Sequence, residues 1–221
     1  MAPYDRRDFL KLMPAAAALT AHAQTVRRPN IVVILTDDHG IGDVGCYGHP
    51  EVRTPNLDRL AASGVRFTQW YSNAPICSAS RAAILTGKYP DRTGVRGALT
   101  SEPSWDVPGL RAGETTLPGL LHGLGYKTAA FGKWHLGSAA ASRPLHQGFD
   151  EFFGWYSGWL DAYSHRYYQL GSAPGKIFHD LWRNETEIFE EPAYMTELLA
   201  RETQAWLARQ TSRQPFLLYL A

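Results

Sequence analysis

The amino-acid sequence predicts an α/β fold whose sheet is largely parallel and flanked by helices. Three apolar runs, each of a length suited to a buried strand, lie at residues 30–35, 127–131 and 216–220. Segments in which apolar residues recur at helical spacing lie between these runs. Because strands and helices alternate, parallel strands joined by helical crossovers are expected, with chemical groups gathered at the carboxyl ends of the strands.

The first third of the chain predicts two strands and a helix. The run at 30–35 is β-branched and leads directly into Asp37 and Asp38. A helix should follow from Thr54 as its N-cap, because proline occupies the first helical position. Residues 65–70 alternate roughly between apolar and polar side chains, so a second strand is expected there.

The remaining elements alternate more regularly. A short helix is predicted over 80–85 and another over 116–124, each followed by a glycine that should end it. The strand at 127–131 leads into Gly-Lys-Trp-His. Residues 194–210 carry the longest helical pattern, and the apolar run at 216–220 predicts the final strand.

Charge and cysteine content narrow the class of protein. The chain has 221 residues and a formal net charge of +1, so nothing in its charge indicates nucleic acid or a membrane surface as a partner. No apolar run approaches the roughly 18 residues of a membrane-spanning helix. Cys46 and Cys77 are the two cysteines. They allow one disulfide, or they leave a reactive cysteine in an enzyme.

The first residues resemble an export signal of the bacterial twin-arginine type. Arg6 and Arg7 precede a short apolar stretch, and Ala-His-Ala at 21–23 fits a cleavage site. We therefore expect residues 1–23 to be a signal peptide and 24–221 to belong to the mature domain. The twin-arginine export machinery would then be a partner, and the destination would be the periplasm or the cell exterior.

Two adjacent carboxylates, those of Asp37 and Asp38, follow the first predicted strand. Their mutual repulsion would cost free energy if nothing neutralised them. A hard divalent cation with oxygen ligands, Ca²⁺ or Mg²⁺, would remove that cost. An ordinary Asp-Asp loop is the alternative.

Two further pairs could bind an anion. Cys77 is predicted at the start of a helix, where free N–H groups and the helix dipole favour negative charge, and Arg81 adds a planar set of donors one turn later. Lys133 and His135 follow a strand two residues apart, so their side chains could converge on one anion. Taken singly, each pair is explained as well by ordinary packing and solvation.

Five motifs in a fixed order resemble the sulfatase family. C-S-A-S-R-A-A-I-L-T-G, from Cys77, resembles the signature C-x-(P/A)-S-R-x-x-x-L-T-G, with Ala79 where proline is commoner. The other four motifs are P-N-I-V-V-I-L-T-D-D, G-C-Y-G, T-P-N-L-D-R-L-A-A-S-G-V-R-F and G-K-W-H-L-G. H-Q-G-F-D-E-F-F-G and D-A-Y-S-H resemble the arylsulfatase B-like branch. The resemblance runs from Arg28 to the last residue.

The resemblance implies an alkaline-phosphatase-like sandwich that hydrolyses sulfate esters. A separate maturation enzyme would oxidise Cys77 to formylglycine, whose hydrate would attack sulfur and then expel sulfate. Asp37, Asp38 and the modified Cys77 would bind Ca²⁺, or Mg²⁺, which makes the attacking hydroxyl a better nucleophile.

The resemblance also implies roles for the remaining site residues. Arg81 would hold the hydrated aldehyde, and Lys133 would bridge it to the sulfate. His135 would orient the hydrate and assist its proton loss. Ser80 would direct the modification enzyme and cap the helix.

The family completes its site with a histidine, an Asp-Asn pair and a second lysine that come later in the chain. We therefore expect residues 24–221 to be the N-terminal part of a catalytic domain, truncated at its C-terminus, with little or no activity alone. The final strand would then be an unprotected edge of the sheet. His165 and His179 are candidates for substrate contact or, equally, for packing.

The substrate is expected to be a sulfated carbohydrate or an aryl sulfate ester. The aromatic stretch at 155–159 could stack on sugar rings or form a packed loop. Two other functions are kept open. One is a phosphonate or phosphodiester hydrolase of the same superfamily, and the other is a non-catalytic anion-binding protein in which Cys77 stays a thiol.

Overall fold

The computed structural model describes residues 28–168 and 177–221. The predicted signal peptide at 1–23 lies outside the described residues. Within them, the strands are β1 (Ile31–Ile34), β2 (Lys127–Lys133), β3 (Glu151–Trp155), β4 (Arg166–Tyr167), β5 (Phe178–His179), β6 (Trp182–Arg183), β7 (Thr186–Glu187) and β8 (Phe216–Leu220). The α-helices are α1 (Pro55–Ser63), α2 (Cys77–Thr86), α3 (Pro90–Thr93), α4 (Leu117–Gly123) and α5 (Met195–Ala208).

Six strands form one mixed sheet in the order β1-β8-β2-β3-β6-β7, and β4 pairs separately with β5. The contacts among β1, β8, β2 and β3 are parallel, whereas β6 and β7 pair antiparallel at one side. The predicted fold class, a largely parallel sheet flanked by helices, is therefore confirmed.

The final strand is not an edge, so that prediction was wrong. β8 lies between β1 and β2, with Leu218 opposite both Val32 and Ala129. Leu217 and Leu218 are each 1% exposed although they point to opposite faces of the sheet. A strand that is apolar on both faces is stable only inside a covered sheet, which is why β8 takes a central place and β1 becomes an edge of the described sheet.

Each face of the sheet packs its own apolar cluster. On β2, Ala130 packs in the cluster that includes Leu85 of α2, whereas Ala129 and Phe131 pack in the cluster that includes Trp206 of α5. This alternation along one strand places helices on both faces and produces the three-layer sandwich. None of the helices in the described residues is long and apolar enough to cross a membrane.

The element boundaries differ from the predictions at three places in the first half. Helix α2 begins at Cys77, three residues before the predicted start, and ends where Gly87 adopts the left-handed conformation with φ 66°. Thr54 precedes α1, but its hydroxyl accepts from Gly45 N–H and donates to Asp58 instead of capping the helix. Residues 65–70 are not a strand. Val65 is 80% exposed, and no neighbouring strand offers residues 65–70 a backbone partner in the described sheets.

Candidate active site

The fold brings the predicted site residues to the carboxyl ends of β1 and β2. Asp37 and Asp38 follow β1, and Lys133 is the last residue of β2. Cys77 is the first residue of α2, which packs beside these strand ends. A cleft of about 860 Å³ is lined by Asp37, Asp38, Cys77 and Arg81 together. The predicted convergence of these side chains is thus present in the structure, while their chemical roles remain predictions.

Cys77 faces the imidazole of His135. The half-buried thiol Sγ lies 3.1 Å from Nδ1 of His135, whose other ring nitrogen, Nε2, lies 3.1 Å from the carbonyl oxygen of Leu99. A carbonyl only accepts, so Nε2 carries the proton and donates it to Leu99. Nδ1 is then left as an acceptor directed at Cys77. The arrangement supplies residue 77 with a base.

Burial keeps this imidazole neutral. His135 is 4% exposed. Desolvation lowers the pKa of His135 to about 4, and the positive charges of Lys133 and Arg81 act in the same direction. His135 therefore holds no second proton at neutral pH, and its Nδ1 can accept one.

Arg81 is a buried cation at the floor of the cleft. It is 1% exposed, and its Nη1 donates to the carbonyl oxygen of Lys133 at 2.6 Å. Its Nη2 lies 3.7 Å from Oδ1 of Asp37. Neither Nε of Arg81 nor the hydroxyl of Tyr219 has a hydrogen-bond partner within the described part of the chain. Arg81 thus retains donor capacity next to Cys77 and Asp37.

Lys133 and Asp37 form the closest ion pair of the cleft, with Nζ donating to Oδ2 at 2.7 Å. Burial alone would raise the pKa of Asp37. The hydrogen bond and charge of Lys133, with the charge of Arg81, outweigh burial and hold that pKa below its ordinary value of 3.8. Asp37 is therefore an anion neutralised by two cations. Asp38, beside it, is exposed and has a left-handed backbone with φ 52°.

The donor chemistry at this place fits a hard divalent cation. Asp37 and Asp38 offer carboxylate oxygens, the ligands that Ca²⁺ and Mg²⁺ prefer. The sulfur of Cys77 is a soft ligand, so residue 77 fits such a cation only once sulfur has been replaced by oxygen. In the described residues, Asp37, Asp38 and Cys77 share the cleft without forming a compact group of three ligand atoms.

Three groups that support His135 were not found by sequence reasoning. They are the carbonyl of Leu99, Gly158 and the buried carboxylate of Asp180. A Cβ atom at Gly158 would lie 2.4 Å from Cε1 of His135, so only glycine allows the ring to sit there. Asp180 accepts from the backbone N–H groups of Tyr156 and Ser157 at 3.1 and 2.8 Å and from the indole of Trp182 at 2.7 Å.

Asp180 is fully buried, and desolvation raises its pKa to about 6 despite these hydrogen bonds. It fixes the segment that precedes Gly158 and therefore the wall against which His135 packs. Nothing in the sequence marks Asp180 as the residue that positions this segment. The carbonyl of Leu99 belongs to the backbone, so its role has no sequence signal either.

Ser80 does not cap α2, so that expectation was wrong. The N-cap position belongs to Ile76, and no side chain caps the helix. The Ser80 hydroxyl instead donates to the carbonyl of Ala74 at 2.7 Å and contacts the hydroxyl of Ser72. Ser80 lies three positions inside the helix, so its hydroxyl cannot reach the free N–H groups at the helix start. Its hydrogen bonds instead hold the loop that precedes the helix.

A second cleft, of about 760 Å³, opens from His135 toward exposed aromatic residues. Its lining includes Trp159, Tyr167 and Tyr168, and the rings of Trp159 and Tyr168 meet edge to face at 6.2 Å. The aromatic stretch at 155–159 is divided, since Tyr156 is buried in the core and Trp159 is 54% exposed.

His165 and His179 are buried and line neither cleft. Cys46 and Cys77 are both free.

Comparison with known proteins agrees with the geometry. The family model described as Sulfatase matches residues 29–221. N-acetylgalactosamine-6-sulfatase of Homo sapiens is 38% identical over 208 residues, covering 87% of this chain and 38% of that protein. Steryl-sulfatase of Homo sapiens is 45% identical over 145 residues, which cover 61% of this chain and 24% of that protein. The chain thus spans about two fifths or less of the length of these relatives.

Solved structures give the same result. The crystal structure of Ps i-CgsB superposes with a TM-score of 0.78 at 34% identity, covering 88% of this chain and 44% of that one. The structure of BT4656 in complex with its substrate D-glucosamine-2-N,6-O-disulfate matches with a TM-score of 0.67 at 31% identity, covering 87% of this chain and 33% of that one. The sheet has the alkaline-phosphatase-like arrangement of these neighbours. From the family match over residues 29–221 and the shared fold, this chain belongs to the sulfatase family.

Proposed function

We propose that the whole protein hydrolyses sulfate esters with an oxygen nucleophile on formylglycine derived from Cys77. The observation that carries this proposal is the contact between Sγ of Cys77 and the unprotonated Nδ1 of His135, at the start of α2 and beside a buried arginine. The family membership supports the reaction class, because the relatives compared above are named as sulfatases.

His135 is the proton acceptor in this proposal. Its Nε2–H is engaged by Leu99, so Nδ1 alone faces residue 77. When residue 77 carries a hydrated aldehyde, one of its hydroxyls would attack sulfur and release the alcohol of the ester. The other hydroxyl would then lose its proton, so that sulfate is expelled and the aldehyde is restored. Nδ1 orients this hydroxyl and takes up its proton, and the low pKa of His135 ensures that the acceptor is free at neutral pH.

Arg81 and Lys133 supply the positive charge for the anionic substrate. Arg81 is held by the Lys133 carbonyl, so its guanidinium is preorganised beside residue 77. Lys133 points its ammonium into the same region, where Asp37 now accepts from it. Asp37 and Asp38, with the oxygen of converted residue 77, would hold a divalent cation, Ca²⁺ or Mg²⁺, which lowers the pKa of the attacking hydroxyl and stabilises negative charge.

A sulfated carbohydrate is the substrate class that we favour. The aromatic cleft reaches His135 and exposes Trp159 and Tyr168, whose flat faces suit the apolar face of a sugar ring. BT4656, which shares the fold, is described with a sulfated glucosamine, and Ps i-CgsB with k-i-k-neocarrahexaose.

Mass spectrometry tests the proposed modification directly. The chain is produced with and without a formylglycine-generating enzyme, and the peptides that contain the two cysteines are compared. We expect the Cys77 peptide to lose sulfur and two hydrogens, gain one oxygen and react with a hydrazide. The Cys46 peptide is an internal control that should keep its thiol. A Cys77 that remains a thiol when the enzyme is present would support the anion-binding alternative instead.

Activity is tested on the whole protein, because the chain spans 38% of the length of N-acetylgalactosamine-6-sulfatase. We expect an aryl sulfate to be hydrolysed faster than the matched aryl phosphonate. Cys77→Ala should lower the turnover of the aryl sulfate by about 10³-fold or more, because the nucleophile is lost. Cys46→Ala, the matched control, should leave turnover unchanged. Preference for the phosphonate would identify a phosphonate hydrolase of the same superfamily.

Export is a separate part of the proposal. The paired arginines Arg6 and Arg7 support transport by the twin-arginine machinery to the periplasm or beyond. Replacing both with lysine should retain the precursor in the cytosol of a bacterial host. Equal periplasmic amounts of the variant and the parent, measured by cell fractionation, would contradict this route.

A further inference from the structure

Two buried histidines and a glutamate meet outside the catalytic cleft. His165 precedes β4 and is 0% exposed, whereas His179 ends β5 and is 7% exposed. Glu191 lies in the segment before α5, and its side chain is 27% exposed. One ligand atom from each of the three lies within 4.8 Å of the others. The proposed sulfatase chemistry uses none of them.

Hydrogen bonds fix the tautomer of both imidazoles. Nε2 of His165 lies 2.9 Å from the carbonyl oxygen of Ala193, so it must carry the donated proton. Nδ1 of His179 lies 2.9 Å from the carboxylate of Glu187, so it likewise donates. The opposite nitrogens, Nδ1 of His165 and Nε2 of His179, are left with free lone pairs.

These two nitrogens have no hydrogen-bond partner within residues 28–168 and 177–221. A buried polar atom without a partner costs free energy, and two such atoms in one small cluster call for a ligand. Oε1 of Glu191 lies 3.4 Å from Nε2 of His179 without forming a hydrogen bond. A lone pair and a carboxylate that face each other repel unless a cation lies between them.

We propose that His165 Nδ1, His179 Nε2 and the carboxylate of Glu191 bind one Zn²⁺ ion. Two imidazole nitrogens with one carboxylate oxygen match the ligands that zinc takes, whereas calcium and magnesium take oxygen almost exclusively. The carbonyl of Ala193 and the carboxylate of Glu187 hold the far side of each ring, as groups around zinc-binding histidines commonly do. Water completes the coordination.

The ion fastens the β4–β5 hairpin to the segment before α5. β4 and β5 pair through two residues each, with Arg166 opposite His179, so few backbone contacts hold them. Tyr167, on β4, and Tyr168, which follows it, line the aromatic cleft that opens from His135. The zinc site is therefore structural, and it positions one wall of the cleft in which the substrate is proposed to bind.

A proton is the alternative to a metal. An imidazolium at His179 would satisfy both Glu187 and Glu191, which contact its two ring nitrogens. It would leave Nδ1 of the fully buried His165 without a donor, and this is the observation that favours zinc. The two explanations differ in what calorimetry and X-ray absorption detect.

The test is zinc titration of the metal-free 221-residue chain. Calorimetry gives the affinity and stoichiometry, and X-ray absorption at the zinc edge counts imidazole ligands. Three variants are compared with the parent. Glu191→Gln is isosteric at a partly exposed position, so it should fold, and His179→Gln removes a ring. His146→Gln is the matched control, because His146 forms a similar pair with Glu185 at 3.3 Å on the surface.

We expect a zinc site with two imidazole ligands in the parent and in His146→Gln. Glu191→Gln should weaken it by at least about tenfold, and His179→Gln should remove it. Zinc should also raise the melting temperature of the parent, but not of His179→Gln. The proposal is overturned if the parent binds no zinc through imidazole, or if Glu191→Gln binds as tightly as the parent. The first result would leave a protonated His179 as the explanation, and the second would show that Glu191 is not a ligand.

Discussion

The two sides of the catalytic cleft both carry proposed site residues, but they differ in how deeply those residues and their surroundings are buried. On the side of Asp37 and Asp38, helix α1 has no buried residue, and Trp70 and Tyr71 are 75% and 76% exposed. On the side of Lys133 and His135, every residue from 128 to 138 is buried. The first side depends on polar contacts near the surface, and the second on a close-packed interior.

This difference indicates which groups arrive preorganised. His135 is fixed by the Leu99 carbonyl, by Gly158 and by the segment that Asp180 holds, so its Nδ1 points at Cys77 before any substrate binds. Asp37 and Asp38 are both exposed, and Asp37 is held by its ion pairs with Lys133 and Arg81. Substitutions on the buried side should therefore cost more than matched substitutions on the exposed side.

The largest contrast is expected between two aspartates that accept backbone N–H bonds. Asp180→Ala leaves two buried backbone donors and the indole of Trp182 without a partner and should cost about 3–5 kcal/mol of unfolding free energy. Asp58→Ala removes acceptors from Cys46 N–H and the Thr54 hydroxyl in a half-buried place and should cost about 1 kcal/mol. Urea unfolding measures the free energy of unfolding of both variants. Equal losses would contradict the proposed difference between the two sides of the cleft.

A buried and an exposed arginine, each replaced by lysine, should show the same difference in lost unfolding free energy. Arg81→Lys replaces a buried guanidinium that donates to the Lys133 carbonyl, and an ammonium does not reproduce its geometry. The expected loss is about 1.5–3 kcal/mol. Arg66 contacts the Cys46 carbonyl and the Tyr47 ring at the surface, so Arg66→Lys should cost less than about 0.5 kcal/mol. Chemical denaturation of the two variants checks this, and a costlier Arg66→Lys would contradict it.

Two glycines test the position of the base. A Cβ atom at Gly158 would lie 2.5 Å from Nε2 of His135, so Gly158→Ala must displace the ring. We expect about 1–3 kcal/mol of destabilisation, and about a 10²-fold lower kcat in the whole protein with KM little changed. Nothing lies within 4 Å of a Cβ at Gly42, on the exposed side, so Gly42→Ala should be nearly neutral. An unchanged kcat in Gly158→Ala would show that the ring position does not matter.

Among the substitutions on the buried side, the smallest effect is expected at its outer surface, where Arg183 donates to Glu202 at 2.8 Å. This hydrogen bond lowers the pKa of Glu202 from its ordinary value of 4.5. Because the folded-state pKa is the lower one, the stabilisation is present above that ordinary value and is lost as the pH falls through the folded-state pKa.

We expect Glu202→Gln to lower the unfolding free energy by about 0.5–1 kcal/mol at pH 7, since the pair is partly exposed. The difference from the parent should shrink toward zero in strongly acidic solution. Thermal unfolding at a series of pH values follows it. A difference that grows on acidification would have the wrong sign for this ion pair.

The sequence predicted local structure well and long-range arrangement poorly. The apolar run at 216–220 was identified as a strand because its composition is a local property, but its place between β1 and β2 depends on pairing with residues far away. Residues 65–70 alternate like a strand, yet they found no strand to pair with in the described sheets. Periodicity indicates what a segment can form, and its neighbours decide whether it does.

The same division applies to the site. Cys77, Arg81, Lys133 and His135 were identified from their motifs, and the structure gathers them. The groups that orient His135 were missed because a backbone carbonyl and a glycine carry no side-chain signal. The zinc-binding histidines were noticed individually, but the sequence separates them by 14 residues, and no pattern predicts that Glu191 joins them.

The central position of β8 has a consequence for how this protein is made. In the described sheet, β8 is the strand beside β1. Phe216 N–H also donates a hydrogen bond to Asn30 Oδ1 across 186 positions of sequence. Until β8 has been synthesised, the backbone N–H and C=O groups of β1 and β2 that pair with it lack their partners. We expect slow folding of high contact order and a need for chaperones during synthesis. The proposed twin-arginine route, which moves folded proteins, would then export the protein only after β8 has been inserted.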